Sequence, residues 1–114
     1  MSKSIIIKKT GGPEVLELSD VKIGSPGPDE IKITNLAIGL NYIDTYHRSG
    51  LYSLPLPSGI GLEAAGKVDE VGVNVTEFSK GDNIAYASMP IGAYSQQRII
   101  PKKIAVTCNR ICLA

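Results

Sequence analysis

The sequence predicts a mainly β chain, folded as a sandwich or closed barrel with one short helix. Three observations carry this reading. Short runs rich in Ile and Val recur along the chain. Glycine- and proline-rich turn signals separate them at close intervals. Segment 41–49 breaks the pattern and reads as a helix. Many short strands at this spacing favour a sandwich or barrel, and closure removes exposed sheet edges.

The elements follow in order. Lys3 to Lys8 is the first expected strand, ended by the turn Gly11-Gly12-Pro13. Val15 to Ile23 is a looser strand, and Gly24-Ser25-Pro26-Gly27-Pro28 turns the chain again. Glu30 to Ile38 is cleaner: Ile31 and Ile33 alternate, and Leu36-Ala37-Ile38 suggests a buried strand. Asn41 to Ser49 is the helix. Asp44 and Arg48 share one of its faces, which predicts an ion pair. Gly50 follows at the position where a positive φ is needed. Pro55-Leu56-Pro57-Ser58-Gly59 is a turn. Ala64 to Val71, Asn83 to Ala87, Ala93 to Ile100 and Ile104 to Thr107 complete the strands. Residues 108–114 have neither a clear turn nor a polar tail, so a chain cut short at its C-terminal end is expected.

Length and composition narrow the function. The 114 residues suit one domain and are too few for two. A hydrophobic share of 43% and a charged share of 20% are those of a globular protein, not a disordered one. A net charge of +1, with scattered Lys and Arg, lacks the basic stripe of a nucleic-acid binder. Ile5-Ile6-Ile7 is too short for a signal peptide, and no stretch approaches the ~18 apolar residues of a membrane span. A cytoplasmic protein is expected. Cys108 and Cys112 are too few for a zinc site, and without a secretion signal they read as two unrelated thiols.

No complete catalytic set is visible from spacing. His47 is the one histidine, and no Gly-x-Ser-x-Gly elbow surrounds a serine. Gly59-Ile60-Gly61-Leu62-Glu63-Ala64 superficially resembles a dinucleotide fingerprint. That motif needs a strand before it and a helix after it, whereas here a proline-rich turn precedes and an apolar strand follows. The glycines instead suit close backbone packing in a turn. The polar cluster Asn41, Asp44, Thr45, Tyr46 and Arg48, with Tyr52 beyond, follows the expected buried strand 36–40. Polar groups at such a junction can line a cleft. An amide and two phenols suit a planar ring bearing carbonyl oxygens. An ordinary amphipathic surface helix is the other reading of the same spacing.

Three stretches carry a resemblance: Gly11-Gly12-Pro13-Glu14-Val15-Leu16, the run from Ile38 to Tyr52, and the run from Leu56 to Val68. Val71-Gly72, Phe78, Gly81-Asp82, Tyr86 and Gly92-Ala93-Tyr94 continue it. Together they resemble the zinc-free quinone oxidoreductases, the ζ-crystallin-like branch of the medium-chain dehydrogenase/reductase superfamily. The resemblance implies that residues 1–114 form a GroES-like β-barrel, the N-terminal, substrate-side domain, with one or two short helices. It implies a second, Rossmann domain, absent from this chain, that binds most of the NADPH. The active site would lie between the two.

Residue by residue, the resemblance implies that Tyr42, Ile43, Asp44, Thr45 and Tyr46 contribute to the NADPH site. Asn41, Tyr46 and Tyr52 match positions beside the nicotinamide and the quinone, and Arg48 supports the helix through Asp44. Zinc-dependent relatives place Cys near the Asn41 position and Gly-His-Glu where this chain has Gly61-Leu62-Glu63, so no metal is expected. The segment Ala105-Val106-Thr107-Cys108 departs from the family, which has a Leu-Pro there. The implied activity is NADPH-dependent quinone reduction, with the isolated chain inactive. A zinc-free alkenal or enoyl reductase, a non-catalytic barrel remnant and an assembly module are the alternatives. The expected partners are a quinone or other conjugated carbonyl, and either a second copy or a separate Rossmann-domain chain.

Overall fold

The computed structural model describes residues 2–108. Its elements are β1 (Ser2–Ile7), β2 (Glu17–Val21), β3 (Glu30–Ile38), α1 (Tyr42–Ser49), β4 (Ser58–Gly59), β5 (Glu63–Val71), β6 (Asn83–Ala87), β7 (Gln97–Pro101) and β8 (Val106–Thr107). Short 3-10 turns occupy Pro13–Val15 and Lys102–Ile104.

Every strand pairing is antiparallel. One sheet has the order β2-β1-β4, the other β7-β3-β5-β6-β8. Segment 94–96 stitches them together. The Ile5 N–H donates to Tyr94 O (2.8 Å), Gln96 N–H to Lys3 O (2.9 Å) and Asn35 N–H to Gln96 O (2.8 Å). Ser4 and Ser95 form a bridge between the sheets. The mainly β expectation with one helix is borne out.

Alternation places the core. Ile31, Ile33, Val68, Ile84 and Ile100 are fully buried, each on the inward face of its strand. A satellite of Ile7, Val15 and Ile60 lies under the smaller sheet, with Leu54 and Tyr94 packed against it. Gly66 sits where β3 and β5 shift register between Asn35 and Ala37. A Cβ there would collide with the Thr34 carbonyl, so the two backbones approach closely because the residue is glycine.

Several expectations are corrected. The stretch 36–40 is not buried: Leu36 and Ile38 at the end of β3, and Leu40 beyond it, are all exposed. The bulge beside Gly66 turns this end of the strand out from the core, so apolar composition there does not report burial. Val15 lies in a 3-10 turn, with the strand starting at Glu17. The strand expected from Ala93 starts at Gln97, because residues 93–96 bond to β1 and β3 as the stitch. Ile104 closes a 3-10 turn. Cys108 is buried and disulfide-bonded, which corrects the expectation of a simple thiol there; Cys112 lies outside the described residues, as do the other residues beyond 108 on which a cut-short chain was read.

Candidate functional site

The helix starts where the sequence places it. Asn41 is the N-cap, in extended conformation, and its backbone N–H donates to Oδ2 of Asp44 (3.0 Å), a capping-box arrangement. Gly50 ends the helix in the left-handed region, φ 91°.

The 3.6-residue period divides α1 into two faces. Asp44 and His47, three apart, point inward and are buried. Tyr42 and Tyr46, four apart, stand outward and are 84% and 37% exposed. Tyr52 is 49% exposed and meets Tyr46 edge to face, centroids 5.5 Å apart. Its backbone N–H donates to Tyr46 O (3.2 Å). The His47 ring lies 6.1 Å from that of Tyr52. The Thr45 hydroxyl turns back onto Tyr42 O (2.6 Å), and Ile43 is half-buried.

The expected Asp44–Arg48 ion pair is not formed. Asp44 is occupied by the cap and by the Tyr94 phenol, which donates to Oδ2 at 2.5 Å. Arg48 instead donates from Nε to Gly11 O (3.2 Å), and the Gly11 N–H donates back to Arg48 O (3.0 Å). Helical spacing makes contact possible, but Asp44 points inward onto the Tyr94 phenol while Arg48 turns to the Gly11 carbonyl. Arg48 therefore fastens the 11–12 turn to the end of α1. Asp44 Oδ1 and His47 Nδ1 are buried without a hydrogen-bond partner among the described residues.

Two residues of this neighbourhood were missed as site residues. Glu63, first in β5, accepts a hydrogen bond at Oε1 from the Asn41 side-chain amide (2.9 Å). A lone carboxylate opening the apolar run from Ala64 was its signal. Tyr94 belongs to the motif Gly92-Ala93-Tyr94, but nothing in sequence links it to Asp44, fifty positions away.

A cleft of about 610 Å³ lies beside the helix, walled by Ile38, Ala64, Ala85, Tyr86, Ile104 and Val106, with Glu63 also in its lining. None of residues 41–52 lines it. Asn41, Tyr46 and Tyr52 stand on an open face of the domain, joined to the cleft through Glu63. The cluster is thus neither packed inside the barrel nor enclosed by this chain alone. Among the described residues no three His, Cys, Asp or Glu side chains gather closely enough to hold a metal. The glycines of 59–61 pack closely against neighbouring groups as expected, but Gly59 does so from strand β4, paired with Ile6 of β1, and not from a turn. A Cβ at Gly59 would lie 3.0 Å from Gly92 Cα, and Gly61 has φ 98° with the Tyr94 ring against it. A strand, not a helix, follows them.

Residues 27–109 match the alcohol dehydrogenase GroES-like domain. A quinone oxidoreductase of Pseudomonas aeruginosa is 53% identical over 104 residues, spanning 90% of this chain and 32% of that protein. A 2-haloacrylate reductase of Burkholderia is 44% identical, spanning 89% of this chain and 32% of its own length. In structure, the Escherichia coli quinone oxidoreductase complexed with NADPH superposes with a TM-score of 0.92 at 44% identity, over 96% of this chain and 34% of that one. The chain spans about a third of the length of the curated relatives it matches.

Proposed function

The chain belongs to the alcohol dehydrogenase GroES-like domain family, and from that premise we propose that it is the substrate-side domain of an NADPH-dependent reductase that passes reducing equivalents to quinones without a metal ion. One observation carries the reading: Asn41, Tyr46 and Tyr52 present an amide and an edge-to-face phenol pair on an accessible face. Names of the relatives, two quinone oxidoreductases among them, agree with it.

The nicotinamide would supply the reducing equivalents; the protein supplies position and electrostatics. Fit to such a group rests on what α1 leaves outward. Tyr42 and Tyr46 offer flat apolar faces and hydroxyls, and Thr45 and Ile43 flank them. These four, held from below by the buried Asp44, would edge the cofactor site. That edge fits one end of a dinucleotide; a phosphate cradle of the strand–glycine–helix type belongs to a further domain. Asn41 donates to the acceptor carbonyl, Tyr46 orients it, and Tyr52 walls the ring. Donors aimed at a developing oxyanion do the work a Lewis acid does in metal-dependent reductases. The donor set supports the metal-free reading: Asn41 binds Glu63, Leu62 has no ligand atom, and the lone His47 is buried.

The 2-haloacrylate reductase favours a second reading, reduction of conjugated enoyl substrates by the same surface. NMR titration of the isotope-labelled chain separates them. NADPH and menadione together are expected to shift resonances of residues 41–52, with an acrylate giving no comparable effect. Shifts confined to other surfaces would refute the site, and a preference for the acrylate would select the second reading. Sustained NADPH oxidation by the chain alone is not expected, because the remaining two-thirds of the relatives' length has no counterpart here.

A further inference from the structure

Resting on the carbonyl-acceptor reading above, we infer that Glu63 is the positioning residue that fixes which face of the Asn41 amide meets the acceptor. An asparagine amide has two chemically opposite ends, and an unrestrained one presents either. Here one end is assigned. The Asp44 backbone N–H goes to the main-chain O of Asn41 (3.0 Å), so the helix start does not fix the side-chain amide. Its orientation is set at the Nδ2 end, where one hydrogen goes to Glu63 Oε1 at 2.9 Å. One N–H is left over. It is a donor, which a carbonyl oxygen needs and a hydroxyl hydrogen does not.

Glu63 is itself held. Its backbone O accepts from the Gly39 N–H (2.9 Å), and a Cβ on Gly39 would overlap its carboxylate. The carboxylate therefore lies flat against bare backbone at the junction between β3 and α1. Among the described residues Asn41 is its one hydrogen-bonding side-chain partner, and no basic side chain pairs with it. A carboxylate accepts and never donates, so it selects the NH2 end of the amide and rejects the flipped form.

The test uses this chain and the variants Glu63→Ala and Glu63→Gln. Without ligand, Glu63→Ala is expected to speed hydrogen exchange of the Asn41 side-chain amide by about tenfold and to move its two proton shifts to free-amide values. Glu63→Gln keeps an acceptor oxygen and restores most of the difference. Backbone amides of β3 and β5 serve as the control for folding. With menadione, Glu63→Ala is expected to weaken binding about fivefold to tenfold, again rescued by Gln. An unchanged Asn41 amide in Glu63→Ala overturns the inference. So does equal loss in Ala and Gln, which marks a packing role. Should Glu63→Ala not fold, a fully wild-type exchange rate in Glu63→Gln with wild-type shifts supports the inference, and a Gln variant with scrambled amide shifts overturns it. If the unmutated chain binds no carbonyl ligand, the functional reading fails, while the ligand-free exchange still decides the role of Glu63.

Discussion

The Tyr94 phenol donates a 2.5 Å hydrogen bond to Oδ2 of Asp44, and this contact ties the stitch between the two sheets to the first turn of the one helix. Asp44 is only 3% exposed, so its carboxylate depends on the two donors it has, the phenol and the Asn41 N–H. The helix that carries the candidate site is therefore placed from beneath by a residue of a distant segment.

Replacing Tyr94 by Phe removes one of those donors and leaves a buried carboxylate short of a partner. The expected cost is about 1–3 kcal/mol in denaturant unfolding at neutral pH. Loss below about 0.5 kcal/mol would show that Asp44 is satisfied some other way.

The same pair predicts a pH dependence. Burial, and then the Asp44 carboxylate beside it, push the Tyr94 phenol above its ordinary value near 10. The folded chain thus keeps a proton that the unfolded chain has released. The contribution to stability is complete below about pH 10 and is lost as pH rises from there through the folded-state value. Unfolding free energies measured from pH 8 to 11 are expected to fall more steeply for the wild type than for Tyr94→Phe. Parallel curves would refute this.

Asn41 has two separable tasks. Asn41→Ser keeps a cap and is expected to stay within about 1 kcal/mol of wild-type stability, whereas Asn41→Ala loses about 0.5–2 kcal/mol. Ala has no side-chain donor and the Ser hydroxyl has one hydrogen where the amide has two, too few to serve both Glu63 and the acceptor, so both variants are expected to lose menadione binding. Binding that survives in the Ser variant, measured by titration calorimetry, would remove Asn41 from the site.

Gly61 has φ 98° and the Tyr94 ring where a Cβ would stand. Gly61→Ala is expected to cost about 2 kcal/mol or more, from backbone strain and the displaced ring together. Thermal unfolding reads it directly.

Arg98 is buried in β7. Its Nη2 donates to Pro90 O (3.0 Å) and Ile91 O (3.1 Å), and the guanidinium lies over the Tyr86 ring. A lysine ammonium reproduces neither the fork nor the stacking. Arg98→Lys is expected to cost about 1–3 kcal/mol and to raise exchange of the 90–92 loop. A neutral substitution would assign the loop geometry to Gly92 alone.

Local chemistry was readable wherever the signal was local. Alternation of Ile31 and Ile33 places β3, Asn41 and Gly50 bound α1, and the turn residues around Gly59 and Gly61 exclude a nucleotide fingerprint. Long-range facts were not readable. The spacing of Asp44 and Arg48 suggested a pair, yet Asp44 went to Tyr94 and Arg48 to Gly11, because a phenol and a carbonyl from other segments arrive closer. Leu36, Ile38 and Leu40 have the composition of a core and the exposure of a surface, since one bulge turns the strand outward.

By itself the sequence determined the mainly β architecture, the single helix with its two ends, and the family resemblance, because turns, caps and alternation depend on residues only a few positions apart. The tertiary structure alone decided that Glu63 holds the Asn41 amide, that Tyr94 buries its hydrogen on Asp44, and that Tyr46 and Tyr52 stand on an open face. Those outcomes depend on which groups from separate segments compete for one buried acceptor, and that competition is settled by distance in the folded chain.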